Sequence, residues 1–465
     1  MFLLNRKYSG NTALIADNGL SLTYEELFSI SDNIYQGLGK RDLVFCICNN
    51  TVGSVCGYIS FVENRVVPVM IDSSMNREMM EQLITLYQPA YLWLPTDQIA
   101  EFPIEKKILS VFDYSLVKLT YKKSAGLHDD LALLLTTSGS TGSPKLVRLS
   151  YNNIKANAES IAEYLSITET ERPITVLPMH YSFGLSIINS HLIKGATLLM
   201  TNRSLMEKEF WQFLKNEKAT SFSGVPYTYE MLKRLRFFRM ELPSLTTLTQ
   251  AGGRLSIELQ KEFAGFCKEN NKRFFVMYGQ TEATARMSYL PVEKTLEKPG
   301  SIGIAIPGGT FSLIDDNGST ILESEKPGEL VYKGGNVSMG YAECADDLGK
   351  EDENKGILLT GDIAKRDADH FYYIVGRKKR FIKLFGNRVN LDETERLLKT
   401  IVSDCACVGN DDHMVVYITE HGREQEVQQF ISSKTGLNHT AFEVRYCESI
   451  PKNSSGKTLY ANLDV

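Results

Sequence analysis

Residues 131–145 read Leu131-Ala132-Leu133-Leu134-Leu135-Thr136-Thr137-Ser138-Gly139-Ser140-Thr141-Gly142-Ser143-Pro144-Lys145. Five uncharged apolar residues give the pattern of a buried strand. They run directly into a tract of Thr, Ser and Gly, closed by Pro144 and Lys145. Glycines let successive backbone N–H groups face one point. The hydroxyls of Thr136, Thr137, Ser138, Ser140 and Thr141 add donors around it. Such a concavity suits phosphate oxygens, and Lys145 at its rim supplies charge. The competing reading is a flexible Ser/Gly linker, but a linker rarely starts at a strand end and stops at Pro-Lys before another apolar run. It is not the G-x-x-x-x-G-K-[ST] loop. Gly456-Lys457-Thr458 imitates the end of that pattern, with Pro451 where Gly is required.

Outward from this loop, short apolar runs alternate with amphipathic stretches. Leu43–Ile47, Val66–Ile71, Leu131–Leu135, Thr197–Met200 and Phe274–Met277 each have the length of a buried strand. After Ser150, a suitable N-cap, Ile154, Ala158, Ile161 and Leu165 follow a helical period. Residues 209–216 and 227–238 have the same character, and 122–130 form a polar connector. This alternation predicts an α/β fold: a large, multi-subdomain N-terminal body of helix-flanked sheets. Beyond the basic stretch 376–390 the texture changes to helix (392–401), strand (413–419), helix (424–434) and strand (442–446). We therefore expect a small, mobile α+β domain over 379–465, after a large domain over 1–378.

The 465 residues allow roughly three domain-sized units. With 51 Lys+Arg against 56 Asp+Glu the net charge is −5, which gives no footprint of nucleic-acid binding. Eight scattered cysteines include no C-x-x-C pair, which predicts buried reduced thiols. The apolar start Met1–Leu4 is too short for a signal sequence, and no run reaches the roughly 20 apolar residues that span a bilayer. These features predict a cytoplasmic protein with no membrane insertion.

The loop TTSGSTGSPK resembles the signature loop of the adenylate-forming superfamily, which comprises acyl- and aryl-CoA synthetases, peptide-synthetase adenylation domains and firefly-type luciferases. Further motifs follow in the family's order: Gln250-Ala251-Gly252-Gly253; Tyr278-Gly279-Gln280-Thr281-Glu282; Gly328-Glu329-Leu330 with Met339-Gly340-Tyr341; Thr360-Gly361-Asp362 with Gly376-Arg377; and Pro451-Lys452-Asn453-Ser454-Ser455-Gly456-Lys457. The resemblance covers 136–457, and the wider run 177–235 most resembles ligases of bacterial surface-polysaccharide clusters. It implies ATP-dependent activation of a small carboxylic acid to an acyl-adenylate with release of pyrophosphate. Transfer to a thiol would follow, on CoA or on the phosphopantetheine of an acyl carrier protein.

By the same resemblance, Thr136, Thr137, Ser138, Gly139, Ser140, Thr141, Gly142 and Lys145 would hold the β- and γ-phosphates. Ala251, Gly252, Gly253, Tyr278, Gly279 and Gln280 would line the AMP site. Thr281 would donate to the α-phosphate, and Glu282 would bind Mg²⁺, a hard cation suited to carboxylate and phosphate oxygens. Asp362, with Arg377 beside it, would accept from the ribose hydroxyls. Lys457 would neutralise the charge between α-phosphate and carboxylate. Lys379 would be a hinge; Lys383, Gly386 and Arg388 would serve the thiol step once the small domain rotates. Read on their own, Arg377–Arg380 could equally be a solvated charge run or an anionic-partner patch.

Leu177-Pro178-Met179-His180-Tyr181-Ser182-Phe183-Gly184-Leu185 matches the acyl-pocket region, with Ser223, Gly224 and Val225 as further walls. Registered on Ser-Phe-Gly-Leu, the family's gating His is displaced or replaced by Tyr181, and His180 could equally be a packed histidine. Amino-acid-activating relatives often carry Asp where this chain has Gly184, and a buried ammonium without a carboxylate is costly. That favours an uncharged acid over the alternative, an amino-acid–carrier-protein ligase of the D-alanine kind, although another carboxylate could substitute for the Asp. A catalytically dead scaffold is a further alternative, although Lys457, Glu282 and the loop glycines are all present.

Overall fold

Leu43–Cys48, six apolar residues in succession, form a strand buried along its whole length. Full burial on both faces is what a central parallel strand requires. In the computed structural model, which describes residues 2–39, 41–121, 126–136, 145–384, 387–410, 413–435, 437–452 and 458–465, it pairs in parallel with Val67–Asp72 and Tyr91–Pro95. The eight-stranded sheet runs in the order Gly340–Ala342, Leu146–Ser150, Leu131–Thr136, Val67–Asp72, Leu43–Cys48, Tyr91–Pro95, Tyr114–Leu119 and Ile104–Val111.

A second sheet has nine strands. Thr12–Ala16, Leu198–Met200, Pro173–Ile174, Ser221–Gly224, Thr247–Gln250 and Arg273–Tyr278 form its parallel part. Helices Tyr24–Tyr35, Val52–Glu63 and Ser182–Leu192 share one buried cluster with residues of both sheets. Val52–Glu63 is buried on every side through Val62, so its sequence is apolar all round rather than amphipathic.

The five strands expected in the large part fall on observed ones. So does the helix after Ser150, Tyr151–Tyr164, whose cap is reciprocal: Asn153 N–H donates to Ser150 Oγ at 3.1 Å and Ser150 N–H to Asn153 Oδ1 at 2.8 Å. The helix expected over 227–238 is shorter. It spans Pro226–Arg234, and Arg236 (φ 59°) then turns the chain into a 3₁₀ turn, Phe237–Arg239, whose Phe237 packs on Phe263.

By contacts the chain divides into two compact units. The first is built on Met1–Gly139, Ser143–Thr310 and Tyr332–Leu358, the second on Phe311–Val331 and Leu359–Val465. In the second, helices Leu391–Leu398 and Glu424–Thr435 accompany a sheet of Cys405–Asn410, His413–Ile418 and Phe442–Tyr446. Cys405–Asn410 has no counterpart among the sequence expectations, because Cys-Ala-Cys-Val is short and its partner strand follows after only two residues. The basic stretch 376–390 includes a hairpin pairing Phe381–Leu384 with Asn387–Asn390.

That stretch is not one cationic patch. Arg380 turns inward, paired with Asp392 at 2.6 Å and Glu395 at 2.5 Å and stacked over the Tyr460 ring at 3.8 Å. Lys378 pairs with Glu329 at 2.7 Å. Six of the eight cysteines are buried and all are free; burial, reinforced by the charge of Glu395, pushes the Cys405 thiol up to about 12. Among the described residues no helix is long and apolar enough to cross a membrane.

Arg148 ties the first unit's fold to its site. It is fully buried, and its fork reaches the carbonyl oxygens of Tyr341 (3.1 Å), Met339 (2.8 Å) and Lys350 (2.5 Å) and the carboxylate of Glu353 (2.7 Å). A lysine has one cationic nitrogen and cannot span this set. Arg148→Lys should therefore destabilise the first unit by about 3 kcal/mol, read as a lower urea midpoint with an unchanged m-value.

Candidate active site

Parallel strands end together at one edge of the nine-stranded sheet. Gly224 is in register with Gln250, and Gln250 with Val276. Neighbouring strands lie about 4.8 Å apart, so three strand ends present a rim about 10 Å wide. Val225, Ala251 and Gly279 continue the chain beyond these carboxyl ends, where α/β sheets bind ligands.

The rim is built from side chains that fix each turn. Thr249 Oγ1 donates to Ser223 Oγ at 2.7 Å, Ala251 N–H to the Gly224 carbonyl at 3.2 Å, and Gln250 Nε2 to the Gly253 carbonyl at 2.8 Å. Gly252 has φ +82°, and a Cβ there would stand 2.6 Å from Tyr181 Oη. Tyr181 thus packs on the turn that follows strand Thr247–Gln250, and burial pushes its hydroxyl up to about 12. Tyr278, Gly279 and Gln280 leave the next strand, with Gln280 Nε2 donating to Tyr278 Oη at 3.3 Å.

Thr281 and Glu282 follow in a 3₁₀ turn, Thr281–Ala283. Thr281 Oγ1 lies 3.2 Å from Ser182 Oγ, on the first residue of helix Ser182–Leu192. Glu282 accepts from Tyr341 Oη at 2.6 Å, and no described cation pairs with it. Burial, then the charge of Glu282, pushes the Tyr341 hydroxyl above its ordinary value. An oriented carboxylate without a cationic partner fits Mg²⁺, which takes few protein ligands when phosphates supply the rest. Among the described residues there is no cluster of three or more His, Cys, Asp or Glu that could hold a metal.

The segment after Glu282 doubles back. Thr284 (φ 60°) and Ala285 (φ 124°) both lie in left-handed space, and Met287 N–H returns to the Tyr278 carbonyl at 2.9 Å. Asn336 Nδ2 donates to the carbonyls of Ala283 (2.8 Å) and Arg286 (3.0 Å), and Thr284 Oγ1 to the Asn336 carbonyl (2.6 Å). The result turns Arg286 inward, where it is 2% exposed. Sequence reading did not single out Arg286, since Ala-Thr-Ala-Arg looks like an ordinary surface stretch.

In the acyl-pocket region, Asn50 fixes the run before the helix: its Nδ2 donates to the Leu177 carbonyl at 3.0 Å, and its Oδ1 accepts from Met179 N–H at 3.0 Å. His180 Nε2 lies 3.5 Å from Asp72 Oδ2, while its buried Nδ1 has no hydrogen-bond partner. Burial lowers its pKa and Asp72 opposes that. Gly184 faces backbone: a Cβ would stand 2.2 Å from the Pro178 carbonyl oxygen. Close packing thus demands glycine there, so the missing Asp is less informative about the substrate than sequence alone implies. Gly224 and Val225 lead into helix Pro226–Arg234, where Val225 N–H donates to Thr228 Oγ1 at 3.3 Å.

Thr136 ends its strand, and Lys145 pairs with Glu343. Thr137, Ser138, Gly139, Ser140, Thr141, Gly142, Gly386 and Lys457 lie outside the described residues, as do the side chains of Lys379, Lys383 and Arg388. In the second unit, Asp362 is 3% exposed and its Oδ1 lies 3.3 Å from Arg377 Nε. The Thr-Gly-Asp turn is tied to the neighbouring strand: Thr360 Oγ1 accepts from Asp362 N–H at 3.1 Å and donates to the Leu330 carbonyl at 2.8 Å, while Gly361 supplies φ +70°.

The chain belongs to the AMP-binding enzyme family, whose model matches residues 4–342. It is 29% identical over 359 residues to a luciferin 4-monooxygenase of Photuris pensylvanica, covering 73% of this chain and 65% of that protein's length. It is also 29% identical over 341 residues to a 2-succinylbenzoate–CoA ligase of Bacillus licheniformis, covering 71% and 69%. Its fold matches that of an o-succinylbenzoate coenzyme A synthetase from Bacillus subtilis in complex with AMP, with TM-score 0.80 and 22% identity over 100% of this chain and 98% of the other.

His191, in the same helix, is buried, and its pKa falls to about 4. Burial is the main cause and the Arg286 charge adds to it, against the hydrogen bond that His191 Nδ1 donates to the Ile187 carbonyl. The folded state keeps it neutral where the unfolded chain protonates near 6.5. Its contribution to stability is therefore complete above about pH 6.5 and is lost as pH falls towards 4. Urea unfolding of His191→Gln should show about 2 kcal/mol less loss of stability between pH 7 and pH 4.5 than wild type.

Proposed function

We propose that this chain joins a small carboxylic acid to the α-phosphate of ATP, releasing pyrophosphate, and then passes the acyl group to a thiol. In the first step a carboxylate oxygen bonds to the α-phosphorus as the bond to the pyrophosphate oxygen breaks. In the second, a thiolate attacks the acyl carbonyl and AMP leaves. Both steps gather anions, so positioning and electrostatics carry the barrier. The observation that supports this most is the strand-end rim, where Thr281 meets Ser182 and Glu282, with no cationic partner among the described residues, is aimed by Tyr341.

Thr281 is suited to donate to the α-phosphate. Glu282 would hold Mg²⁺, which supplies charge neutralisation on the phosphate oxygens. The 136–145 loop would hold the β- and γ-phosphates; Ala251, Gly252, Gly253 and Tyr278 would line the AMP site, and Asp362, with Arg377 beside it, would take the ribose hydroxyls. Lys457 would neutralise the reacting pair. Lys379 belongs to the same reading as a hinge, with Lys383, Gly386 and Arg388 serving the thiol step and the small domain beginning there. CoA is the favoured acceptor, because similar proteins are named CoA ligases; a carrier-protein phosphopantetheine is the other. The amino-acid alternative is disfavoured by Arg286, a buried cation within the same unit that would repel an ammonium.

Acid-dependent ATP–pyrophosphate exchange tests the reading. Wild type should support it with one class of carboxylic acid, and Lys457→Ala should lower it by at least about 100-fold. Undiminished exchange in that variant would remove Lys457 from the chemistry.

A further inference from the structure

A buried guanidinium normally has a carboxylate partner, because leaving a desolvated cation unpaired is costly. The first unit keeps to this elsewhere: Arg148 meets Glu353. Arg286 does not. Its Nε donates to Ser186 Oγ at 3.2 Å and its Nη1 to Tyr164 Oη at 3.1 Å and Met277 Sδ at 3.4 Å. Its carbon lies over the Phe183 ring, 4.9 Å from the centroid. Every partner is neutral, and Nη2 donates to no described residue.

The position relates this cation to the rim. Ser182, which touches Thr281, and Ser186, which touches Arg286, lie on one face of a single helix. Four residues are about one turn, or about 6 Å of rise. Phe183 and Met277 belong to a buried cluster that continues to Val225 and Ala251 at the strand ends. The guanidinium is thus about one helical turn deeper than the hydroxyl suited to the α-phosphate.

The backbone holds it there against strain. Two non-glycine residues just before it, Thr284 and Ala285, adopt positive φ, a conformation that L side chains rarely take. Asn157 and Asn336 both donate to the Arg286 carbonyl, at 2.9 and 3.0 Å. His191 on the same helix is kept neutral, so it neither competes for an anion nor supplies one.

We propose that Arg286 receives a second anionic group of the acid, making the substrate a short dicarboxylate whose far carboxylate lies about one helical turn from the reacting one. Charge-assisted, bidentate pairing is what a guanidinium offers a carboxylate. This deepens the adenylation reading and rests on it for the meaning of the near end.

The test is pyrophosphate exchange with malonate, succinate and glutarate against acetate, propionate and butyrate, for wild type, Arg286→Lys and Arg286→Leu. Wild type should prefer a dicarboxylate. Arg286→Leu should raise its KM on the order of 100-fold with kcat within a few-fold, and should gain activity on the monocarboxylate of equal length. Arg286→Lys should fall between. Preference of wild type for a monocarboxylate, or an unchanged ratio in Arg286→Leu, overturns the proposal. Absence of exchange with every acid overturns adenylation instead. Calorimetry with the same dicarboxylates then decides the pocket: binding lost in Arg286→Leu supports it, and no binding to wild type overturns it. Near-ultraviolet circular dichroism of each variant separates a lost site from a lost fold.

Discussion

The organisation of the first unit's site depends on a backbone contact that only glycine permits. A Cβ on Gly279 would stand 1.6 Å from the Ala285 carbonyl oxygen, so the chain leaving the strand Arg273–Tyr278 can fold back on itself. That fold-back sends consecutive residues in opposite directions. Thr281 and Glu282 face the strand-end rim, and Arg286 faces the interior. The strain at Thr284 and Ala285 is offset by side-chain amides of Asn157 and Asn336, each hydrogen bond contributing about 1 kcal/mol. Strain supported in this way is typical where geometry serves binding.

Charge follows the same economy. Cations that look available in sequence are mostly engaged: Lys145 with Glu343, Arg377 with Asp362, Lys378 with Glu329, Arg380 with Asp392 and Glu395. Within the run, Arg380 is internal wiring of the second unit, while Arg377 and Lys378 are exposed yet paired. Arg286 stands apart as a buried cation that the described protein leaves without an anion.

Much of this was legible from residues alone. Buried strands announce themselves as short apolar runs, and Ser150 reads as an N-cap ahead of the helix Tyr151–Tyr164. The rim residues followed from motif order, because glycines at 252 and 279 have backbone reasons that any sequence in this arrangement must respect. What stayed hidden depended on distant packing. Gly184 suggested substrate chemistry, yet the Pro178 carbonyl explains it. Arg286 suggested nothing, since burial comes from a fold-back set by Asn336, 50 residues away in sequence. The strand Cys405–Asn410 was missed because its neighbour His413–Ile418 follows so closely that the two merge into one apolar texture.

The central claim is that the carboxylate attacks the α-phosphorus, and isotope transfer measures it directly. The chain is incubated with ATP, Mg²⁺, CoA and a dicarboxylate carrying ¹⁸O in both carboxyl groups, and the products are read by mass spectrometry. One ¹⁸O in AMP, with unlabelled pyrophosphate, is the predicted result. ADP in place of AMP, with ¹⁸O in inorganic phosphate, would show attack at the terminal phosphorus and contradict the account.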